Sequence, residues 1–333
     1  MINIMKTIVG FGALNLDLIF EVEDFKSIDI RGISLRPGEE VSGSEEDFQF
    51  LSAQLNQFGT LKSKSGGGSA ANTIVALARM GFQTKFIGKV GEDEEGLFLL
   101  KNLGPVGTEW IRRSQRSGIC LVVLDRHQDR FLFVRANANN TLTIHEIDFN
   151  ALKEISWVHL SSFIGEPPFE AQKALLNRLD ASVRISMDPG EIYAQKGFET
   201  IRPLIQRCHI LFLTEREVRL LTGQDLPAGV RPFIEMGPFI LVCKKGRRGS
   251  QIFTAQGDFE VPSPQTKVVD NTGAGDVYNA GFLAGFFSGK SLEECARFAT
   301  QMAAKSITGY GRECYPTRED LDHFLHHSFR SKS

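Results

Sequence analysis

The chain lacks any run of about 18 apolar residues, so no transmembrane helix is expected. Its opening stretch, MINIMKTIVGFGALNLDLIF, lacks the basic segment and unbroken apolar core of a signal peptide, because glycines, Asn15 and Asp17 interrupt it. An excess of one charge is missing too: 38 basic residues stand against 40 acidic ones, a net charge of −2. No general field then draws in nucleic acid or an anionic membrane, and neither is expected as a partner. Cysteine is scarce: Cys120, Cys208, Cys243, Cys295 and Cys314 are widely spaced and never form a C-x-x-C pair. That argues against a disulfide framework or a zinc site and for reduced, mostly buried thiols in a cytoplasmic protein. The seven histidines show no ligand spacing and are expected in the core or in solvent.

What is present is an α/β pattern. With 333 residues, 42% apolar and 23% charged, the chain suffices for one large α/β domain with a small appendage. Strand-like runs at Thr7–Phe11, Thr84–Ile87, Val183–Met187, His209–Leu213 and Phe239–Cys243 alternate with helical patterns at Ser69–Met80, Asp93–Leu103, Phe169–Leu179, Glu199–Gln206 and Glu215–Leu221. Such alternation predicts a mainly parallel sheet with helices on both faces and its ligand at the carboxyl ends of the strands. Two regions break it. Leu14–Val22 alternates as a strand and Gly118–Arg135 reads as two strands around a polar turn, so a small β-sheet lid is expected over about 12–35 and 106–140, within a single domain spanning 1–333. Within residues 36–65, Phe48, Leu51, Leu55 and Phe58 recur at helical spacing, the mark of a packed insertion. Three helices, Ala274–Ser288, Ser291–Ile307 and Thr317–His327, are expected at the C-terminal end.

Residues 270–291, DNTGAGDVYNAGFLAGFFSGKS, offer two phosphate cradles. At the back, Gly289-Lys290-Ser291 nearly completes a P-loop, but a P-loop follows a buried strand and VYNAGFLAGFFS carries small residues at helical spacing. An interhelical turn with an exposed lysine is the better expectation there. At the front, Gly273-Ala274-Gly275 opens a helix whose unbonded N–H groups and dipole favour an anion. Asp276 then sits beside an anion hole. Two roles stay open for it: taking a proton from an attacking hydroxyl, worth about 10²–10⁴-fold in rate, or complementing the helix N-terminus.

Asp270–Phe282 (DNTGAGDVYNAGF) resembles the C-terminal signature of the ribokinase-like, or PfkB, family of sugar and nucleoside kinases. Gly67-Gly68-Ser-Ala-Ala-Asn72 with Lys85–Gly91 resembles its N-terminal signature, and Gly12-Ala-Leu-Asn15-Leu-Asp17 its first-strand motif. Thr214-Glu-Arg-Glu217 and the turn from Lys244 to Gly249 are similar to its two nucleotide-side motifs. The matches run in family order over essentially the whole chain, and the long acidic insertion looks more like the adenosine-kinase-like branch.

The resemblance implies a ribokinase-like, Rossmann-type fold and ATP-dependent phosphoryl transfer to a hydroxymethyl group of a small sugar or nucleoside. Asp276 would be the base and the N–H groups of Gly273, Ala274 and Gly275 the anion hole. Asn15, Asp17, Gly67, Gly68 and Asn72 would hold the acceptor; Thr214, Lys244, Gly246, Gly249 and Thr272 would line the ATP site. Glu217 would order water around Mg²⁺, although Thr214-x-x-Glu217 is equally a capping box. Lys244 stands where many members have Thr, and solvated surface lysine is its other reading. Thr214 replaces the family's usual Asn, as does Gly190 in Asp188-Pro189-Gly190. Arg135, Asn137 and Asn139 are candidate lid contacts beside an ordinary turn role. A monovalent cation such as K⁺ beside the hole and a homodimer through the lid are further expectations. Two alternatives are a non-catalytic sugar or nucleoside sensor on the same fold, and a kinase for another small alcohol such as a vitamin.

Overall fold

The computed structural model describes residues 7–28, 38–127 and 129–326, so Met1–Lys6, His327 and the stretch 29–35 of the expected lid lie outside the described residues. On strand β1 (Thr7–Phe11) successive side chains alternate, sending Ile8 to one face of a sheet and Val9 and Phe11 to the other. Both faces are apolar because both are covered by helices. The strand lies inside a nine-stranded sheet. From one edge the order is β14 (Gly257–Val261), β13 (Ser250–Thr254), β12 (Ile240–Lys244), β11 (Ile210–Thr214), β10 (Arg184–Asp188), β9 (Ile155–Ser161), β1, β5 (Thr84–Val90) and β6 (Ile111–Arg113). Pairing is parallel from β6 through β12 and antiparallel at β13 and β14. This is the expected α/β fold. Strand β9 is one that the sequence does not announce, since Ser156, His159 and Ser161 interrupt its apolar run.

Helices α2 (Ser69–Arg79), α3 (Glu94–Asn102), α9 (Ala274–Phe287) and α10 (Leu292–Ser306) cover the face reached by Ile8. Helices α4 (Glu166–Arg178), α5 (Gly190–Gln195), α6 (Phe198–Ile205), α7 (Glu215–Thr222) and α8 (Arg231–Met236) cover the other. The small residues of α9 serve this packing: a methyl group on Gly281 would lie 2.8 Å from the Ala299 Cα of α10. Gly289 then closes α9 at φ +74°, and Ser291 caps α10 in a box with Glu294. The near-P-loop is therefore an interhelical turn. Lys290 lies 5.5 Å from the centre of the Phe324 ring on α11 (Arg318–His326), at the far end of a helix about 20 Å long by its rise per residue.

A second sheet has the order β3 (Glu40–Ser42), β8 (Arg130–Arg135), β7 (Gly118–Leu124), β2 (Asn15–Glu21) and β4 (Thr60–Gly67). No strand is predicted from sequence for β3 or β4. TLKSKSGG is polar because β4 is an edge strand with largely exposed residues, and lysines are the usual guard of such an edge. Leu51 and Leu55 of helix α1 (Glu45–Phe58) pack with Phe20, Leu121, Val123, Phe131 and Phe133 on one face of this sheet. The opposite face, with Ile19, Val122 and Val134, meets Ile164 and Tyr310 of the large part. The packed insertion is thus the cover of the small sheet.

Candidate active site

Asp276 lies in the first turn of α9, which starts because Gly273 takes a left-handed φ of +77° that suits a residue without Cβ. A methyl group at Gly273 would also lie 2.6 Å from the Tyr315 hydroxyl. The Asp276 carboxylate is held at both oxygens: Ser69 Oγ donates to Oδ1 at 2.7 Å and Asn72 Nδ2 to Oδ2 at 2.9 Å, while Thr73 Oγ1 donates to the Asp276 carbonyl at 3.1 Å. All three donors come from the first turns of α2, so two helix N-termini converge on one carboxylate. Burial, and after it the Asp188 carboxylate, push Asp276 up to about 6, against the bonds from Ser69 and Asn72 and the Lys244 ammonium. Of the three expected anion-hole N–H groups, that of Ala274 makes a long 3.3 Å turn bond to the Asn271 carbonyl. Those of Gly273 and Gly275 take no backbone acceptor among the described residues.

On one side lies a pocket of carboxylate and glycine. Asp17 of β2 is buried, and a side chain on Gly67 would collide with its carboxylate, so Gly67 is what leaves it room. Burial pushes Asp17 up to about 8, opposed by the Arg312 guanidinium and reinforced by Asp270, Asp276 and Glu40. Gly68, the N-cap of α2 at φ +100°, passes so close to the Ala13 carbonyl that no side chain fits. Asn15 is partly committed, since its Oδ1 accepts from Asn139 Nδ2 at 2.9 Å.

On the other side the ends of β10, β11 and β12 bring charges together. Lys244 Nζ donates to Asp188 Oδ2, which also accepts from Asn279 Nδ2 at 2.6 Å. Burial opposes ionisation of Lys244, yet Asp188 and Glu217 hold its pKa above the ordinary lysine value. Burial opposes the Asp188 charge as well, and Lys244 and Asn279 keep it below the ordinary carboxylate range. The ammonium reaches the anion hole, for a methyl group on Gly275 would lie 3.2 Å from Nζ. Glu217 makes the capping box, with Thr214 N donating to its Oε2 at 2.8 Å, and burial followed by the Asp188 charge pushes it up to about 7. Gly246 and Gly249 shape the turn after Lys244, at φ +57° and +91°. Thr272 N donates to Asp270 Oδ1 at 2.8 Å, fixing the loop before the hole, while Thr272 Oγ1 is buried without a hydrogen-bond partner among the described residues.

A hard divalent cation needs oxygen donors, and Asp188 with the Glu217 oxygen left outside the capping box offers them beside the hole. Among the described residues no group of three or more His, Cys, Asp or Glu forms a direct cage. The donor set fits a cation held through water.

The three expected lid contacts are spent elsewhere. Arg135 donates to the Gly43 carbonyl and to Glu45, Asn137 to the Ser117 carbonyl, and Asn139 bonds Leu14 N and O, so they hold the small sheet together. Sequence reasoning missed another residue of the small sheet that reaches the site: Arg130 Nη1 donates to the Asn271 carbonyl at 3.3 Å. It also passed over Ser69, although that residue stands between Gly68 and Ala70 in the quoted motif, and Arg312, a lone arginine with no motif around it.

The family model for pfkB carbohydrate kinases matches residues 41–318. An uncharacterised sugar kinase of Archaeoglobus fulgidus is 36% identical over 253 residues, 74% of this chain and 100% of that one. A nucleoside kinase of Methanocaldococcus jannaschii is 28% identical over 92% of each chain. In structure, the adenosine kinase of Sinorhizobium meliloti superposes with a TM-score of 0.84 at 18% identity, over 96% of this chain and 99% of that one.

Proposed function

The chain belongs to the pfkB family of carbohydrate kinases and is an ATP-dependent kinase for a sugar or nucleoside; on that premise we propose that it phosphorylates a hydroxymethyl group with Asp276 as the base. The observation that carries this reading is the Asp276 carboxylate itself, fixed by Ser69 and Asn72 at the mouth of a helix N-terminus. The acceptor oxygen attacks the γ-phosphorus of ATP, its proton passes to Asp276, and the bond to the β,γ-bridging oxygen breaks as ADP leaves. Charge on the transferring group meets the N–H groups of Gly273, Ala274 and Gly275 and the positive end of α9.

Asp17, Gly67, Gly68, Asn72 and Asn15 form the acceptor side; a carboxyl group beside two close-packed glycines suits neighbouring hydroxyls. Lys244, Thr214, Gly246, Gly249 and Thr272 form the ATP side, with Lys244 supplying a fixed charge under the hole. Kinases of this family use a divalent metal; we assign Mg²⁺, which when bound would supply positive charge to neutralise the phosphates. Asp188 and Glu217 would orient its water shell.

The test is a panel of sugars and nucleosides scored by ADP release, run on wild type and Asp276→Asn, with and without K⁺. We expect one hydroxymethyl-bearing class to support turnover. Asp276→Asn should lose about 10²–10⁴-fold in turnover while ATP binding persists; turnover within a few-fold of wild type would end the base assignment.

A further inference from the structure

Arg312 is almost wholly buried although it lies in a turn after α10, and one of its bonds leads to the site. Its Nε donates to Asn72 Oδ1 at 3.0 Å, and its Nη1 donates to the Asn102 side chain at 3.1 Å and to the Asn102 carbonyl at 3.3 Å. Arg79 donates to the Arg312 carbonyl at 2.7 Å, which ties the turn to the end of α2. Nη2 is buried with no hydrogen-bond partner among the described residues. Burying a guanidinium with a donor unbonded is costly, and a neutral side chain would fill a plain loop at less expense.

The amide between Arg312 and Asp276 explains the arrangement. An asparagine has one accepting end and one donating end, whereas a guanidinium can only donate. The bond from Nε therefore fixes Asn72 Oδ1 toward Arg312 and leaves Nδ2 facing Asp276 Oδ2, to which it donates at 2.9 Å. A flipped Asn72 would set oxygen against carboxylate oxygen and release the base to turn. We propose that Arg312 is the positioning residue of this kinase, locking the Asn72 amide so that Asp276 keeps its orientation toward the acceptor hydroxyl. The inference rests on Asp276 being the base. It also accounts for a positive charge placed near Asp17 and Asp276, because the guanidinium favours the ionised form of these two carboxylates.

Arg312→Gln, Arg312→Lys and Asn102→Ala would be compared with wild type for kcat, for the KM of ATP and of the acceptor, for the pH profile of kcat/KM and for Tm. Arg312→Gln should lower kcat roughly 10- to 100-fold, the scale of a misplaced catalytic group, with the KM for ATP unchanged. Its acid limb should move upward from about 6, because the carboxylate loses a fixed donor and a nearby cation. Arg312→Lys keeps the charge without the fork and should recover the limb more than kcat. Asn102→Ala loosens the guanidinium from outside the site and should move both readouts the same way by less. A merely structural arginine would lower Tm and leave kcat per folded molecule and the pH profile as in wild type, and that result would overturn the proposal. Should Arg312→Gln fail to fold, Asn102→Ala decides: a wild-type profile there overturns it as well. Asp276→Asn separates the two readings. If it turns over, the base assignment fails; if it is dead while Arg312→Gln has a wild-type profile, the relay alone fails.

Discussion

The Lys244 ammonium and the Asp188 carboxylate form a buried ion pair across β11, which lies between their own strands β12 and β10. Such a pair has two possible uses, to satisfy two charges folded inside or to hold one of them for a ligand. Replacement of one partner separates them. Lys244→Met should cost about 3–5 kcal/mol, because Asp188 is left buried and uncompensated, and should raise the KM for ATP. The double variant Lys244→Met with Asp188→Asn removes the orphan charge and should regain most of the Tm. If it also regains turnover, the pair is structural only and Lys244 has no part in phosphoryl transfer.

The pKa of about 6 at Asp276 predicts an acid limb. As the proposed base Asp276 acts in its carboxylate form, so kcat/KM should fall tenfold per unit below that pH. Burial and the Asp188 charge set this value, hence Asp188→Asn should move the limb downward, toward the ordinary aspartate range. A limb that stays put in that variant would mean that Asp276 does not titrate in the rate.

In the acceptor role proposed for Asp17, function and stability oppose each other. Its folded pKa of about 8 lies above the unfolded value, so the folded state binds the extra proton. Stability from this group is therefore fullest at acid pH and is lost as pH rises through about 8. Asp17→Asn should leave Tm unchanged near pH 4 and raise it by on the order of a few °C above pH 8, while the acceptor KM rises roughly tenfold. Thermal unfolding across pH, paired with acceptor titrations, checks both. A variant less stable than wild type at pH 9 would contradict the burial argument.

The site was legible in the sequence where backbone geometry dictates residue type. Gly67, Gly68 and Gly273 are glycines because Asp17, the Ala13 carbonyl and the Tyr315 hydroxyl leave no room for Cβ, and such constraints make motifs. Asp276 follows from the same turn. Ser69, Arg130 and Arg312 act through side chains that reach across long stretches of chain, and no spacing rule announces a contact between residues 72 and 312 or 130 and 271. In the fold, β1 and β10 to β12 read clearly as apolar runs. Strand β9 was hidden by His159 and Ser161, and β4 by lysines that a strand at a sheet edge can carry. Lys290, by contrast, had a motif but no strand before it, and geometry put it at the wrong end of α9.

Leu51 and Leu55 of α1 already occupy the face of the small sheet formed by Phe20, Leu121, Val123, Phe131 and Phe133, and the lysines of β4 guard its edge against pairing. The other face is taken by Ile164 and Tyr310. With both faces covered within the chain, we expect the protein to be a monomer near 37.0 kDa by light scattering over the micromolar range, in place of the homodimer expected through the lid. Leu51→Asp with Leu55→Asp should lift α1 from the sheet, since each charge would otherwise be buried unpaired. The exposed strip should then drive self-association and raise the acceptor KM, because Asp17 sits on the same sheet. Twice the monomer mass for wild type at low micromolar concentration, unchanged by those substitutions, would place a dimer contact elsewhere and leave α1 as a cover with no bearing on assembly.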